Sequence, residues 1–181
     1  MASTVLYIIS AVIAILLVLV AGIASAVSAN DLTSLLNNTN LSKAHQLLTI
    51  GAVLGISGAV ILIAMFVTSF FGGGFTYKET SEFVSTEVEI KKSGTSALQI
   101  TIMVVLGLLI ILSLVVGILA AFGASNIAKS GNTTVQNAYI SAIVAAVTGF
   151  GGAGLLIVVL ITYIAIRKAR KTKTEKKFKT N

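Results

Sequence analysis

The sequence predicts an all-α protein, a bundle of four membrane-crossing helices. Four apolar runs, residues 5–27, 47–71, 97–122 and 138–166, contain no acid and no base. Each spans at least 23 residues. At about 1.5 Å per residue that exceeds the ~30 Å hydrocarbon core of a bilayer. Only 10% of the 181 residues are charged, 56% are hydrophobic and mean hydropathy is +1.00, whereas a soluble domain carries roughly 25% charged residues. A domain this small leaves too much surface in water to hide so much apolar content.

The first run, 5–27, ends within Ala24-Ser25-Ala26-Val27-Ser28-Ala29, which has the small residues of a signal-cleavage site. No positive charge precedes it and the apolar stretch exceeds a signal core, so a retained helix is expected. The second, third and fourth runs are rich in Val and Ile, which favour strands in water. In lipid the backbone must satisfy its own hydrogen bonds, so uninterrupted apolar runs become helices. They also lack the alternation of a membrane barrel. There is no Pro, so the kinked or broken helices common in transporters are not expected.

These runs divide the chain into a transmembrane hairpin (1–71), a central polar loop (72–96), a second hairpin (97–166) and a basic tail (167–181). Four crossings put both termini and the central loop on one side. That side holds Lys78, Lys91, Lys92 and the eight tail cations Arg167, Lys168, Arg170, Lys171, Lys173, Lys176, Lys177 and Lys179; the opposite loops hold only Lys43 and Lys129. The positive-inside bias therefore predicts cytoplasmic termini. The opposite loops carry the triplets Asn37-Asn38-Thr39, Asn40-Leu41-Ser42 and Asn132-Thr133-Thr134, which agrees with an outward-facing or lumenal side, although loops this short favour chance over glycan attachment. In the central loop, Val84, Thr86, Val88 and Ile90 alternate with Ser85, Glu87, Glu89 and Lys91, a pattern that suggests a short hairpin, with an amphipathic surface helix as the competitor.

The hairpins resemble one another. Gly22 aligns with Gly117, Ala26 with Ala121, Ala44 with Ala138, Gly55 with Gly149, Gly58 with Gly152, Ala59 with Ala153 and Leu62 with Leu156. Both units run in the same direction, which predicts a parallel repeat. Small residues recur at four-residue spacing: Gly22 and Ala26, then Gly51, Gly55 and Ala59, then Gly117 and Ala121, then Ala145, Gly149 and Ala153. Such residues let helix backbones approach where lipid supplies no hydrophobic drive. Packing within the chain is the expected use, and a homo-oligomer contact is the other.

Chemistry is sparse. Without Cys and with one His, neither thiolate catalysis nor a multi-His metal site can be built. His45 and the acids Asp31, Glu79, Glu82, Glu87 and Glu89 lie outside the apolar runs, and the acids lack the spacing of a calcium loop. No catalytic, cofactor-binding or metal-binding residue is predicted, so no enzyme is. No ionisable residue interrupts a run, which argues against a pump or voltage sensor. A small channel lined by Thr49, Ser57, Ser113 and Thr148 is the alternative function. The tail cations suit anionic headgroups or an acidic partner, with nucleic acid a weaker reading.

Small residues leading into an Asn/Ser/Thr loop, followed by Ser42-Lys43-Ala44-His45-Gln46-Leu47-Leu48-Thr49-Ile50-Gly51-Ala52-Val53-Leu54-Gly55, resemble the four-helix virion membrane proteins of large icosahedral DNA viruses, of which chloroviruses are one example. The resemblance covers most of residues 5–166. In the second unit Gln136-Asn137-Ala138-Tyr139 replaces Lys43-Ala44-His45, a departure from the pattern. The resemblance implies a virion inner-membrane or minor capsid component, with capsid or other membrane-associated proteins as partners and no catalytic residues.

Overall fold

The computed structural model describes the backbone of residues 2–71 and 88–179, and the side chains of 5–68 and 100–166. Four helices result: α1 (Ala2–Leu32), α2 (Thr39–Phe71), α3 (Val88–Lys129) and α4 (Gln136–Lys179). Among the described residues there is no strand. All four helices are longer than the apolar runs that announce them. Extending an existing helix gains one hydrogen bond for each residue fixed, so helices continue into polar sequence until something stops them.

The stops are local. α1 gives way to a 3-10 turn, Thr33–Leu35, where the Thr33 hydroxyl donates to Asn30 O at 2.7 Å. The Asn38 carboxamide oxygen then accepts from the N–H groups of Asn40 (2.9 Å) and Leu41 (3.4 Å), capping the start of α2. α3 ends at Lys129, and the chain turns away at Gly131, whose φ of 65° is open to glycine and strained for other residues. Asn132 Oδ1 accepts from Thr134 N at 3.0 Å and opens the turn into α4. The loops expected at 28–46 and 123–137 therefore contract to 33–38 and 130–135. The alternating segment 84–91 lies outside the described residues as far as 87. From Val88 onward it is helix, which corrects the expected hairpin there: this stretch joins α3 directly, and its Glu and Lys are good helix formers.

The helices form a square ring. α1 packs on α2 and α4, α3 packs on α2 and α4, and the diagonal pairs scarcely touch. At one end, the Tyr7 and Tyr163 rings of α1 and α4 lie 6.1 Å apart between centroids. At the other, Ser28 Oγ donates to Ala138 O at 2.6 Å. The short turns 33–38 and 130–135 thus share one end, the loop end. The start of α1, the end of α2, the start of α3 and the end of α4 share the other, the terminal end.

Two apolar clusters fill the ring. One, toward the loop end, is built on Leu32, Leu41, Leu48, Ile127 and Val135 among alanines. The other, toward the terminal end, is built on Tyr7, Val18, Leu62, Leu106, Leu109, Leu156 and Val159. The outside is equally apolar: exposed Val, Leu, Ile and Phe side chains run along α1 from Val5 to Val27, α2 from Ile50 to Val67, α3 from Ile100 to Phe122 and α4 from Tyr139 to Ile164. An apolar surface of that extent is far beyond what a monomer tolerates in water. All four helices contain segments long and apolar enough to span a bilayer, and the chain is a multi-pass integral membrane protein.

Candidate functional site

Where α1 crosses α2, the backbones touch. A Cβ placed on Gly55 would stand 2.7 Å from Gly22 Cα, and one on Gly22 would stand 2.7 Å from Ile56 N. The α3–α4 crossing repeats this geometry: a Cβ on Gly149 would stand 2.8 Å from Gly117 Cα, and one on Gly117 would stand 3.1 Å from Phe150 N. At Gly22, Gly55 and Gly149 only hydrogen fits without a backbone shift, Gly117 is nearly as tight, and the close approach brings long stretches of both helices into van der Waals contact.

Most of the small residues named from the sequence lie in these seams. Gly22, Gly51, Gly55, Gly117 and Gly149 are buried, as are Ala59 and Ala153. Gly51 faces the Ser25 side chain. Ala26 is half-buried. Ala121 is exposed, so its assignment to packing within the chain is corrected. On a helix of 3.6 residues per turn, positions three and four after a glycine lie on opposite sides of it. In α1 and α3 the seam follows the three-residue side, which buries Ser25 and Ala29 after Gly22, and Ala120 and Ala124 after Gly117.

The interior hydroxyls divide sharply. Ser28 and Ser113 donate across helix boundaries to carbonyl oxygens of α4, Ala138 (2.6 Å) and Gly149 (2.8 Å). Ser25 is fully buried against Gly51 and its Oγ has no partner. Ser28→Ala is expected to lower stability by about 0.6 kcal/mol, the average for hydrogen bonds between membrane helices, and by no more than about 1.7 kcal/mol, the upper end. Ser25→Ala is expected to leave stability unchanged or raise it, because the hydroxyl it removes is desolvated without return. Reversible unfolding in mixed micelles compares the two, and equal losses would contradict the assignment.

Of the four hydroxyls that might line a channel, only Ser113 points inward. Thr49 and Ser57 are exposed and Thr148 is half-buried; each donates to its own helix, to His45 O (2.8 Å), Val53 O (2.6 Å) and Val144 O (2.7 Å). Between α1, α2, α3 and α4 near Tyr7, Leu62 and Leu106 lies a cavity of about 10 Å³, the size of a single water.

At the loop end, Asp31, Lys43 and Lys129 are exposed and His45 is partly buried. Among the described residues no three His, Cys, Asp or Glu side chains converge. A shallow groove of about 330 Å³ lies between the end of α3 and the start of α4, lined by residues including Ile127, Asn132, Val135 and Tyr139. At the terminal end, α4 continues as one helix through Arg167, Lys168, Arg170, Lys171, Lys173, Lys176 and Lys177 to Lys179. Among the described residues the terminal end holds ten Lys/Arg and two acids, a net +8, against +1 at the loop end. Compared with protein-family models, curated proteins and solved structures, the chain matches none of them.

Proposed function

We propose that the protein is a structural membrane component, a virion inner-membrane or minor capsid protein that ties a bilayer to a protein shell. The observation that carries this reading is the one-sided build. Within the bilayer the ring is apolar outside and, apart from a few serines, inside, and its seams close backbone to backbone. At the loop end the helices stop in tight turns. At the terminal end α3 starts about 14 Å before the apolar run at 97 and α4 continues about 20 Å past Ile166, and nearly all the charge sits there. That end is the face toward the shell, and the charge bias makes it the cytoplasmic one.

The reading includes an internal duplication. It is supported by the matched crossings Gly22–Gly55 and Gly117–Gly149, and by a shared pattern of burial. Tyr7, Ala14, Val18, Ser25 and Leu32 in α1 are buried at the positions of Ile102, Leu109, Ser113, Ala120 and Ile127 in α3.

The test is made on purified membrane-containing particles from infected cells. The chain is expected there in fixed ratio to the shell protein, absent from uninfected cells, and still attached to the shell after detergent has removed lipid. Loss of the chain with the lipid, or ion conductance by the pure protein in liposomes, would overturn the reading.

A further inference from the structure

The tail cations do not all lie at one distance from the bilayer. Because α4 is continuous from Gln136 to Lys179, each residue past Ile166 lies about 1.5 Å farther along the axis. The headgroup layer adds about 5–8 Å beyond the hydrocarbon on each side. Arg167, Lys168, Arg170 and Lys171 fall within it, at about 1.5–7.5 Å past Ile166. Lys176, Lys177 and Lys179 stand at about 15–20 Å, about 7–15 Å beyond the headgroups, a distance comparable to or greater than the ~8 Å screening length at physiological salt. Lipid charge is weak at that height. The chain's own acids are too few to balance them, since residues 72–96 and 167–181 together carry eleven Lys/Arg against five acids by sequence.

We propose that the tail is divided in two: Arg167, Lys168, Arg170 and Lys171 seat α4 among anionic headgroups, and Lys176, Lys177 and Lys179 hold an acidic polypeptide above the membrane. This deepens the anchoring function and rests on it. The partner is committed to be protein because the function above ends on a protein layer. Six of the eight tail cations, and all three of the distal ones, are Lys, a compact point charge that can meet carboxylates in many geometries.

The experiment uses the full chain in vesicles of phosphatidylcholine with or without phosphatidylserine. Since the sequence has no Cys, Ala169→Cys and Phe178→Cys each give one labelling site. A headgroup-attached quencher is expected to quench a label at 169 strongly and one at 178 several-fold less, and equal quenching would mean that the tail lies flat and would overturn the proposal. Fluorescent polyglutamate is the partner probe. The triple variant K176Q/K177Q/K179Q is expected to weaken its binding at least tenfold, and R167Q/K168Q/R170Q/K171Q no more than two- to threefold. Equal losses would overturn the division, and so would tighter binding of duplex DNA than of polyglutamate at the same salt, which would make the distal site one for nucleic acid. If polyglutamate fails to bind while the chain still stays with the particle shell after delipidation, the tail assignment fails and the anchoring function stands.

Discussion

Gly55→Ala is expected to destabilise the bundle by about 1–3 kcal/mol, the usual range for overpacking a well-packed interior, and Gly55→Leu to abolish the α1–α2 crossing. The reason is the nature of the obstacle. A methyl on Gly55 meets the Cα and N of Gly22 at 2.7 and 2.9 Å, and a backbone cannot rotate aside as a side chain can. The helices must separate, and every dispersion contact along the seam weakens with them. Gly149→Ala should do the same at the other crossing, where the obstacles are Gly117 Cα and N, both at 2.8 Å. The comparison that isolates the effect is Gly154→Ala, at an exposed position with nothing within 4 Å, which should leave stability unchanged or raise it by up to about 1 kcal/mol, the helix preference for Ala over Gly. All three are measured by reversible unfolding in mixed micelles. Similar results at 55 and 154 would mean that α1 and α2 do not meet where the glycines place them.

Leu48→Ala is the second large effect, with an expected loss of about 2–5 kcal/mol. Leu48 is fully buried in the loop-end cluster, and it lies over Gly123 of α3: a Cβ on Gly123 would reach Leu48 Cγ at 2.9 Å. That obstacle is a side chain. Gly123→Ala alone should therefore be harmful, yet in the Leu48→Ala background its methyl enters the space just vacated. The double variant is expected to be more stable than the sum of the single losses, with a coupling of at least about 0.5 kcal/mol, as contacting residues show. Strict additivity in a double-mutant cycle would place these two residues apart.

The spans were legible in the sequence because lipid imposes one rule on every residue: a charge in a run would have betrayed itself, and none occurs. The helix ends were less legible. Asn30, Asp31, Lys43 and His45 read as loop because they are polar, but past the hydrocarbon boundary polar residues are free to stay helical, and the true stops are the Asn38 cap and Gly131. The packing face was legible in α2 and α4, where Gly51, Gly55, Ala59, Ala145, Gly149 and Ala153 are all buried. It was missed at Ala121, since both Ala120 and Ala121 are small and only the lean of the crossing decides between them. The inward hydroxyls Ser25 and Ser28 gave no signal of their own among many Ser and Thr. In hindsight, their place three and six residues after Gly22 marks them.

The ring closes between α1 and α4. The Ser28–Ala138 bond joins residues 110 apart in sequence. At a synthesis rate of about 5–20 residues per second, α1 waits roughly 5–20 s before its final neighbour emerges from the ribosome. During that interval one flank of α1 has no helix to rest on, and Ser28 has no carbonyl of α4 to bond. Insertion of α2 alone does not relieve this, because α2 covers a different flank. Assembly is thus held open until α4 is in place, and an insertase or intramembrane chaperone that recognises the waiting flank of α1 would distinguish a half-made chain from a finished one.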